Sequence, residues 1–279
     1  MMVERASLSD RLPSSFSPEA VVSIRQRLDL AREQDVSILF AIESGSRAWG
    51  FPSPDSDYDC RFVYACGMRR HLVLTQPRDV IEFPIEGEID AGGWDLRKAL
   101  LLALGGNAVV VEWVKSPIVY EEIHGFRQSL VEILDQVVDP IKVAQHYLGL
   151  ARSHVARLGH FSGDVNLKKL FYLIRPIVAL DWMEQRHFAA LPPMALPDCL
   201  FETELPIATT QAIRDLIDRK AKTREMGTGP IPAPIASYVE RRYAHHEKNI
   251  PDMRNDGADL ALRHQLAEDF YRQTIERLG

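Results

Sequence analysis

Cysteine is scarce in this chain: Cys60, Cys66 and Cys199 are the only three in 279 residues. An odd count without paired C-x2-C spacing leaves no disulfide framework and no cysteine-based zinc motif. Cys60 and Cys66 fall in or beside an expected strand, where small buried thiols are common. No apolar run approaches the ~18 residues of a membrane span. The opening segment, residues 1–10, carries acids and lacks the apolar stretch of a secretory leader. The expectation is a reduced, cytoplasmic protein with no membrane association. A surplus of positive charge is missing too, with 33 Lys plus Arg against 39 Asp plus Glu and a net charge of −6. That disfavours a broad basic nucleic-acid-binding surface. Repeats and low-complexity tracts are also lacking. An apolar fraction of 46% and a charged fraction of 26% are those of a folded globular chain, not a disordered one.

What is present divides into two textures. Residues 1–139 hold 14 basic and 22 acidic side chains, and residues 140–279 hold 19 and 17. After a Ser/Pro-rich opening over residues 1–17, residues 18–34 show helical periodicity with Val21, Ile24, Leu28 and Ala31 on one stripe. VSILFAIESGS reads as a buried strand entering a turn, and RAWGFPSPDS as a turn-rich loop. YDCRFVYA, DVIEFPI and EIDAGGW read as extended segments, and LRKALLLALGG as a helix stopped by glycine. From about residue 140, five helical patterns follow one another. The expected architecture is an α/β (α+β) domain with a mixed sheet over residues 1–125, then an all-helical domain over residues 126–279.

The strongest local signal is Gly45-Ser46, ten residues, then Asp57-Tyr58-Asp59. Gly45 and Ser46 follow a buried strand and should open a helix or tight turn. Backbone N–H groups there, with the Ser46 hydroxyl, suit phosphate oxygens. Asp57 and Asp59 lie two apart on a strand and so share a face. Two carboxylates on one face repel, and a divalent cation relieves the repulsion. Mg2+ prefers one or two carboxylates plus phosphates and water. Two such ions about 4 Å apart clamp both oxygens of an in-line phosphoryl displacement.

This arrangement resembles the active-site signature of the DNA polymerase beta-type nucleotidyltransferase superfamily. The fuller run GSRAWGFPSPDSDYDCRFVY is similar to its RNA-repair-pathway branch. The later segments GWDLRKAL, GN…VEW…SPIVY and NLKKLFYLIRP resemble the same branch, so the likeness covers about residues 36–185. It implies an Mg2+-dependent (or Mn2+-dependent) enzyme, with two ions, that moves a nucleoside monophosphate from a triphosphate such as ATP to a hydroxyl and releases pyrophosphate. An RNA end, such as that of a tRNA, is the implied acceptor. A protein side chain or a small molecule is the alternative, as are a non-catalytic nucleotide-binding relative and a helical half that binds a protein partner. The resemblance also implies a third carboxylate on a neighbouring strand. We assign it to Asp90, as metal ligand or general base, and read Asp95 as the N-cap of the following helix. It further implies that the helical half supplies basic groups to the triphosphate. Lys168, Tyr172 and Arg175, spaced i, i+4, i+7 on one helix face with Lys169 beside them, are the candidates.

Other residues carry weaker signals. Arg47 would reach either a triphosphate or an acidic loop neighbour. Arg61 extends the Asp59 face and would pair with the carboxylates. Glu112, in an apolar stretch, needs a partner, and the glycine-rich turn is the expected one. His146-Tyr147 reads as packing, as do Trp182, Leu173, Ile177 and Leu180. The charge run DRKAKTRE, residues 218–225, reads as a solvated helix face. His245-His246 has no Cys or carboxylate at zinc-ligand spacing.

Overall fold

The computed structural model describes residues 12–75, 77–159, 161, 163–224, 226–255 and 259–278, so most of the Ser/Pro-rich opening lies outside the described residues. The Ser17 hydroxyl accepts from the Ala20 N–H at 3.1 Å, and Pro18 brings a preset φ to the first position of helix α1 (Pro18–Arg32). Its buried stripe is Ala20, Ile24, Leu28 and Ala31; Val21 is half-buried, because the stripe begins one position earlier than the sequence suggests.

The expected mixed sheet is present. Strand β1 (Val36–Glu43) lies antiparallel to β2 (Tyr58–Cys66), and the four-residue helix α2 (Gly45–Ala48) falls in the connection. The edge strand β3 (Val80–Glu82) pairs antiparallel with β4 (Ile89–Asp95), and β4 pairs parallel with β2. After helices α3 (Leu96–Leu104) and α4 (Ala108–Val114), β5 (Val119–Glu122) closes the other edge against β1. The spatial order is β3-β4-β2-β1-β5. The apolar run 107–114 is helical because the Asn107 side chain caps it, accepting from Val109 N at 2.8 Å. Helix α5 (Phe126–Val137) fills a stretch that reads from sequence as a boundary.

The helical part comprises α6 (Pro140–Leu158), α7 (Leu167–Glu184), the short α8 (Leu196–Glu202), α9 (Ile207–Lys222), α10 (Ala233–Asn249) and α11 (Leu260–Leu278). A two-stranded ribbon, β6 (Asp164–Asn166) with β7 (Thr228–Pro230), precedes α7 in space. No described helix is long and apolar enough to cross a membrane.

Side-chain alternation divides the sheet between two cores. Tyr58, Cys60, Phe62 and Tyr64 face α1, whereas Val63 and Ala65 face α3, α4, α5 and the end of α7. The second core also includes Ala267 and Ile275 of α11, so the last helix packs back onto the sheet side of the molecule. A third cluster gathers the start of α7, α8, α9 and α10, and Phe51 of the β1–β2 connection is buried within it. The stretch that carries the Gly-Ser motif is thus packed into the helical half.

The Phe62 ring lies across its register partner Gly93, where a Cβ would stand 2.2 Å from the ring. Gly93→Ala should therefore destabilise the chain by about 1–3 kcal/mol, read as a lower midpoint in urea unfolding.

Candidate active site

Register brings two of the expected carboxylates together. Asp59 on β2 and Asp90 on β4 are direct partners in the parallel pair. Asp57 lies one residue before β2, exposed at its entry. Asp95 lies at the far end of β4, where its side chain accepts from Arg97 N at 2.8 Å and caps α3. Arg61, two residues along β2 from Asp59, shares its face. Its guanidinium grips Asp90 with two contacts, Nη2 to Oδ2 at 2.6 Å and Nη1 to Oδ1 at 3.1 Å, and reaches Asp59 Oδ1 at 3.4 Å. Burial raises the Asp59 carboxyl above its ordinary range; Arg61 opposes this, and the Asp90 and Asp57 charges add to it. Asp57 and Asp59 are oxygen donors whose charges act on one another, and with Asp90 they do not all come within 4.8 Å of one another here. That donor set suits a hard divalent cation such as Mg2+. Asp90 joins such a set only if Arg61 moves aside.

The Gly-Ser turn is shaped around Asp59. Gly45 has φ +58°, and a Cβ there would stand 1.8 Å from Asp59 Oδ2. Only glycine allows that backbone conformation and that approach at once. The first-turn N–H groups of Gly45, Ser46 and Arg47 have no helical acceptor, as at any helix start. The Ser46 hydroxyl donates to Ser56 Oγ at 2.9 Å, which ties the turn to the loop before Asp57. Arg47 grips the same loop through the carbonyls of Ser56 (2.7 Å) and Asp57 (3.1 Å), and its guanidinium stacks 3.9 Å over the Tyr58 ring. Arg47 is thereby committed to loop backbone and not to an acidic side chain.

One residue escaped the sequence reading. Glu43 ends β1, fully buried, and accepts the Asp59 N–H at 3.0 Å and the Tyr120 hydroxyl. Burial pushes its carboxyl up to about 8 against the pull of those two bonds. It props the backbone of Asp59 from behind. A carboxylate at the end of an otherwise apolar strand was the available signal.

On the helical side, burial, then the Asp59 and Asp57 charges, raise the Tyr172 phenol. Trp49 meets Tyr172 edge-on at 5.9 Å, and Phe51 stacks on Phe171 at 4.8 Å. Arg175 is not free for a phosphate. It is buried in an ion pair with Glu112 and stacks 4.3 Å from the Trp49 ring. Glu112 also accepts from Tyr147 OH at 2.8 Å and from Trp49 Nε1 at 3.4 Å, so its partners are Arg175, Tyr147 and, from the turn between Gly45 and Gly50, Trp49. Lys168 is half-buried and Lys169 exposed at the start of α7. The run at 218–225 is mostly solvated over its described residues, with one exception: Lys220 is fully buried, 4.6 Å from the Phe51 ring, and its ammonium lacks a hydrogen-bond partner.

Two substitutions test this geometry. Gly45→Ala should cost about 2 kcal/mol or more in denaturant unfolding, from strain at positive φ plus the clash with Asp59. Burial, with Lys168 nearby, lowers the Lys220 ammonium from 10.5 to about 8. A depressed lysine binds its proton less tightly when folded, so its contribution is full above 10.5 and lost as pH falls through 8. Lys220→Met should therefore be more stable than the parent at pH 7, on the order of 1–3 kcal/mol, with the gain vanishing towards pH 10.5 in thermal melts.

An uncharacterized protein of Bacillus subtilis (strain 168), YcgL, is 38% identical over 192 residues, covering 68% of this chain and 72% of that protein. The model of the RNA repair pathway DNA polymerase beta family matches residues 22–269, a span that includes every carboxylate of the cluster, and the chain belongs to that family.

Proposed function

We propose that the chain is a nucleotidyltransferase that passes a nucleoside monophosphate from a triphosphate to a hydroxyl, with an RNA end as acceptor. The observation that carries this reading is the side-by-side placement of Asp59 and Asp90 in the β2–β4 register, with Asp57 at the strand entry and the Gly45 turn against Asp59. Asp57 and Asp59 would hold Mg2+ or Mn2+, with Asp90 completing the set when Arg61 releases it. The bound ion supplies charge neutralisation at the phosphates.

The chain's own groups account for the rest. The first-turn N–H groups of α2 offer donors to phosphate oxygens. Lys168 and Lys169, at the start of α7, lie on the helical side with Tyr172 and are the cations left to meet a triphosphate, since Arg175 is spent on Glu112. In the transfer, the acceptor oxygen bonds to the α-phosphorus as the bond to the bridging oxygen breaks. Pyrophosphate leaves with that electron pair, and the hydroxyl proton passes to a carboxylate of the cluster, for which Asp90 is the candidate. Arg175 acts as a positioning residue through Trp49. The family's RNA-repair description supports an RNA acceptor. The net charge of −6 supports a short end in place of a long duplex footprint.

Pyrophosphate release from labelled triphosphates, with Mg2+ and RNA ending in a 3′-hydroxyl, is the direct measurement. Asp57→Asn with Asp59→Asn should lower it by about a hundredfold or more, while a 3′-phosphate end should not accept. Equal rates for the double variant and the parent would overturn the reading.

A further inference from the structure

Away from the carboxylate cluster, α7 and α10 share a second group of ionisable side chains. His245 Nε2 lies 2.6 Å from Glu184 Oε1. One ring nitrogen from each of His245 and His246 and one Glu184 oxygen all lie within 4.8 Å of one another. Nothing in the linear spacing suggests this, because 61 residues separate Glu184 from His245. We propose that Glu184, His245 and His246 bind a divalent transition metal of the zinc class, which fastens α10 to α7.

The surroundings are arranged around His246. It is fully buried, and its Nε2 lies 2.6 Å from Asp181 Oδ1 while its Nδ1 has no hydrogen-bond partner. Asp181 is itself held in place, taking Tyr238 OH on Oδ2 at 2.6 Å and Arg242 Nε on Oδ1 at 2.8 Å. A carboxylate that fixes one imidazole nitrogen and leaves the other with a free lone pair is the usual support for a metal-binding histidine. An orphan nitrogen in a fully buried ring is otherwise unfavourable.

Arg242 does not fill the site. It pairs with Glu184 through Oε2, whereas His245 meets Oε1. With neutral imidazoles, the two carboxylates and Arg242 sum to one negative charge, which a bound cation offsets. Zinc–nitrogen and zinc–oxygen bonds of about 2.0–2.2 Å put tetrahedral ligand atoms about 3.4 Å apart. Around an ion the His245–Glu184 contact would open from 2.6 Å and the other pairs, each now within 4.8 Å, would settle to that spacing. Glu184 and His245 are about a third exposed, at 33% and 38%, so an ion has a route in and a solvent molecule can take the fourth position. Two imidazoles and one carboxylate select zinc-like ions over Mg2+, unlike the all-oxygen set of Asp57 and Asp59. Glu184 is twelve residues beyond Tyr172 on one helix, about 18 Å along its axis, so the two sites are separate.

The test uses the full chain, stripped with EDTA and titrated with ZnCl2 by calorimetry, with Co2+ as a spectroscopic substitute. The expected result is one Zn2+ per chain at micromolar affinity or tighter, a raised melting temperature, and the intense visible absorption of tetrahedral Co2+. His245→Ala and Glu184→Gln, both at partly exposed positions, should weaken binding by about tenfold or more. Asp57→Asn with Asp59→Asn should bind zinc as the parent does. Absence of stoichiometric zinc, unchanged affinity in His245→Ala, or loss of binding in the Asp57/Asp59 variant would each overturn the proposal.

Discussion

The approach of the Asp59 carboxylate to the Cα of Gly45 is the contact around which the rest is arranged. It requires glycine twice over, for a positive φ and for a missing Cβ. It also requires the two strands that flank the turn to be held in one register. Glu43 contributes from behind by accepting the Asp59 N–H, and Ser44 N donates to the Asp59 carbonyl at 2.8 Å. A carboxylate fixed this closely keeps its place beside Asp90, and its charge is left to be balanced by Arg61 and by whatever cation arrives.

The second dependence runs from that turn into the helical half. Half-buried Trp49 and fully buried Phe51, four and six residues beyond Gly45, pack against Tyr172, Arg175 and Phe171 of α7. Arg175 pairs with Glu112 of α4, and Glu112 with Tyr147 of α6. The loop is thus keyed to three helices by two aromatic rings and one buried ion pair. Removing one member of a buried pair leaves an uncompensated charge, so Arg175 matters to the site although it does not face it. Lys220 extends the same packing, since its ammonium lies against the Phe51 and Phe171 rings.

Some of the site was legible in the residues alone. Gly45, Ser46, Asp57 and Asp59 stand at a spacing that a strand–turn–strand unit needs, and α1, α3 and α7 announced themselves by caps and periodicity. Choosing Asp90 over Asp95 rested on the capping habit of Asp before LRKALLLAL, and the cap at Arg97 N accounts for Asp95. Lys168, Tyr172 and Arg175 do share a helix, but one face of a helix meets different neighbours along its length. Tyr172 feels the charges of Asp59 and Asp57, whereas Arg175 pairs with Glu112. The 107–114 run, apolar but for Asn107 and Glu112, is too short to distinguish strand from helix by periodicity, and α5 lies in a stretch that reads as a boundary.

Local chemistry, then, determined the motif, the elements that carry it and the family to which the chain belongs, because spacing, capping and turn preferences act over a few residues. Tertiary structure decided the pairings that span long stretches of chain: Asp59 with Asp90 through a parallel register, Arg175 with Glu112 across 63 residues, and His245 with Glu184 across 61. Which partner a buried charge finds depends on which surfaces the hydrophobic cores press together. That is a property of the packed molecule as a whole and of no segment in it.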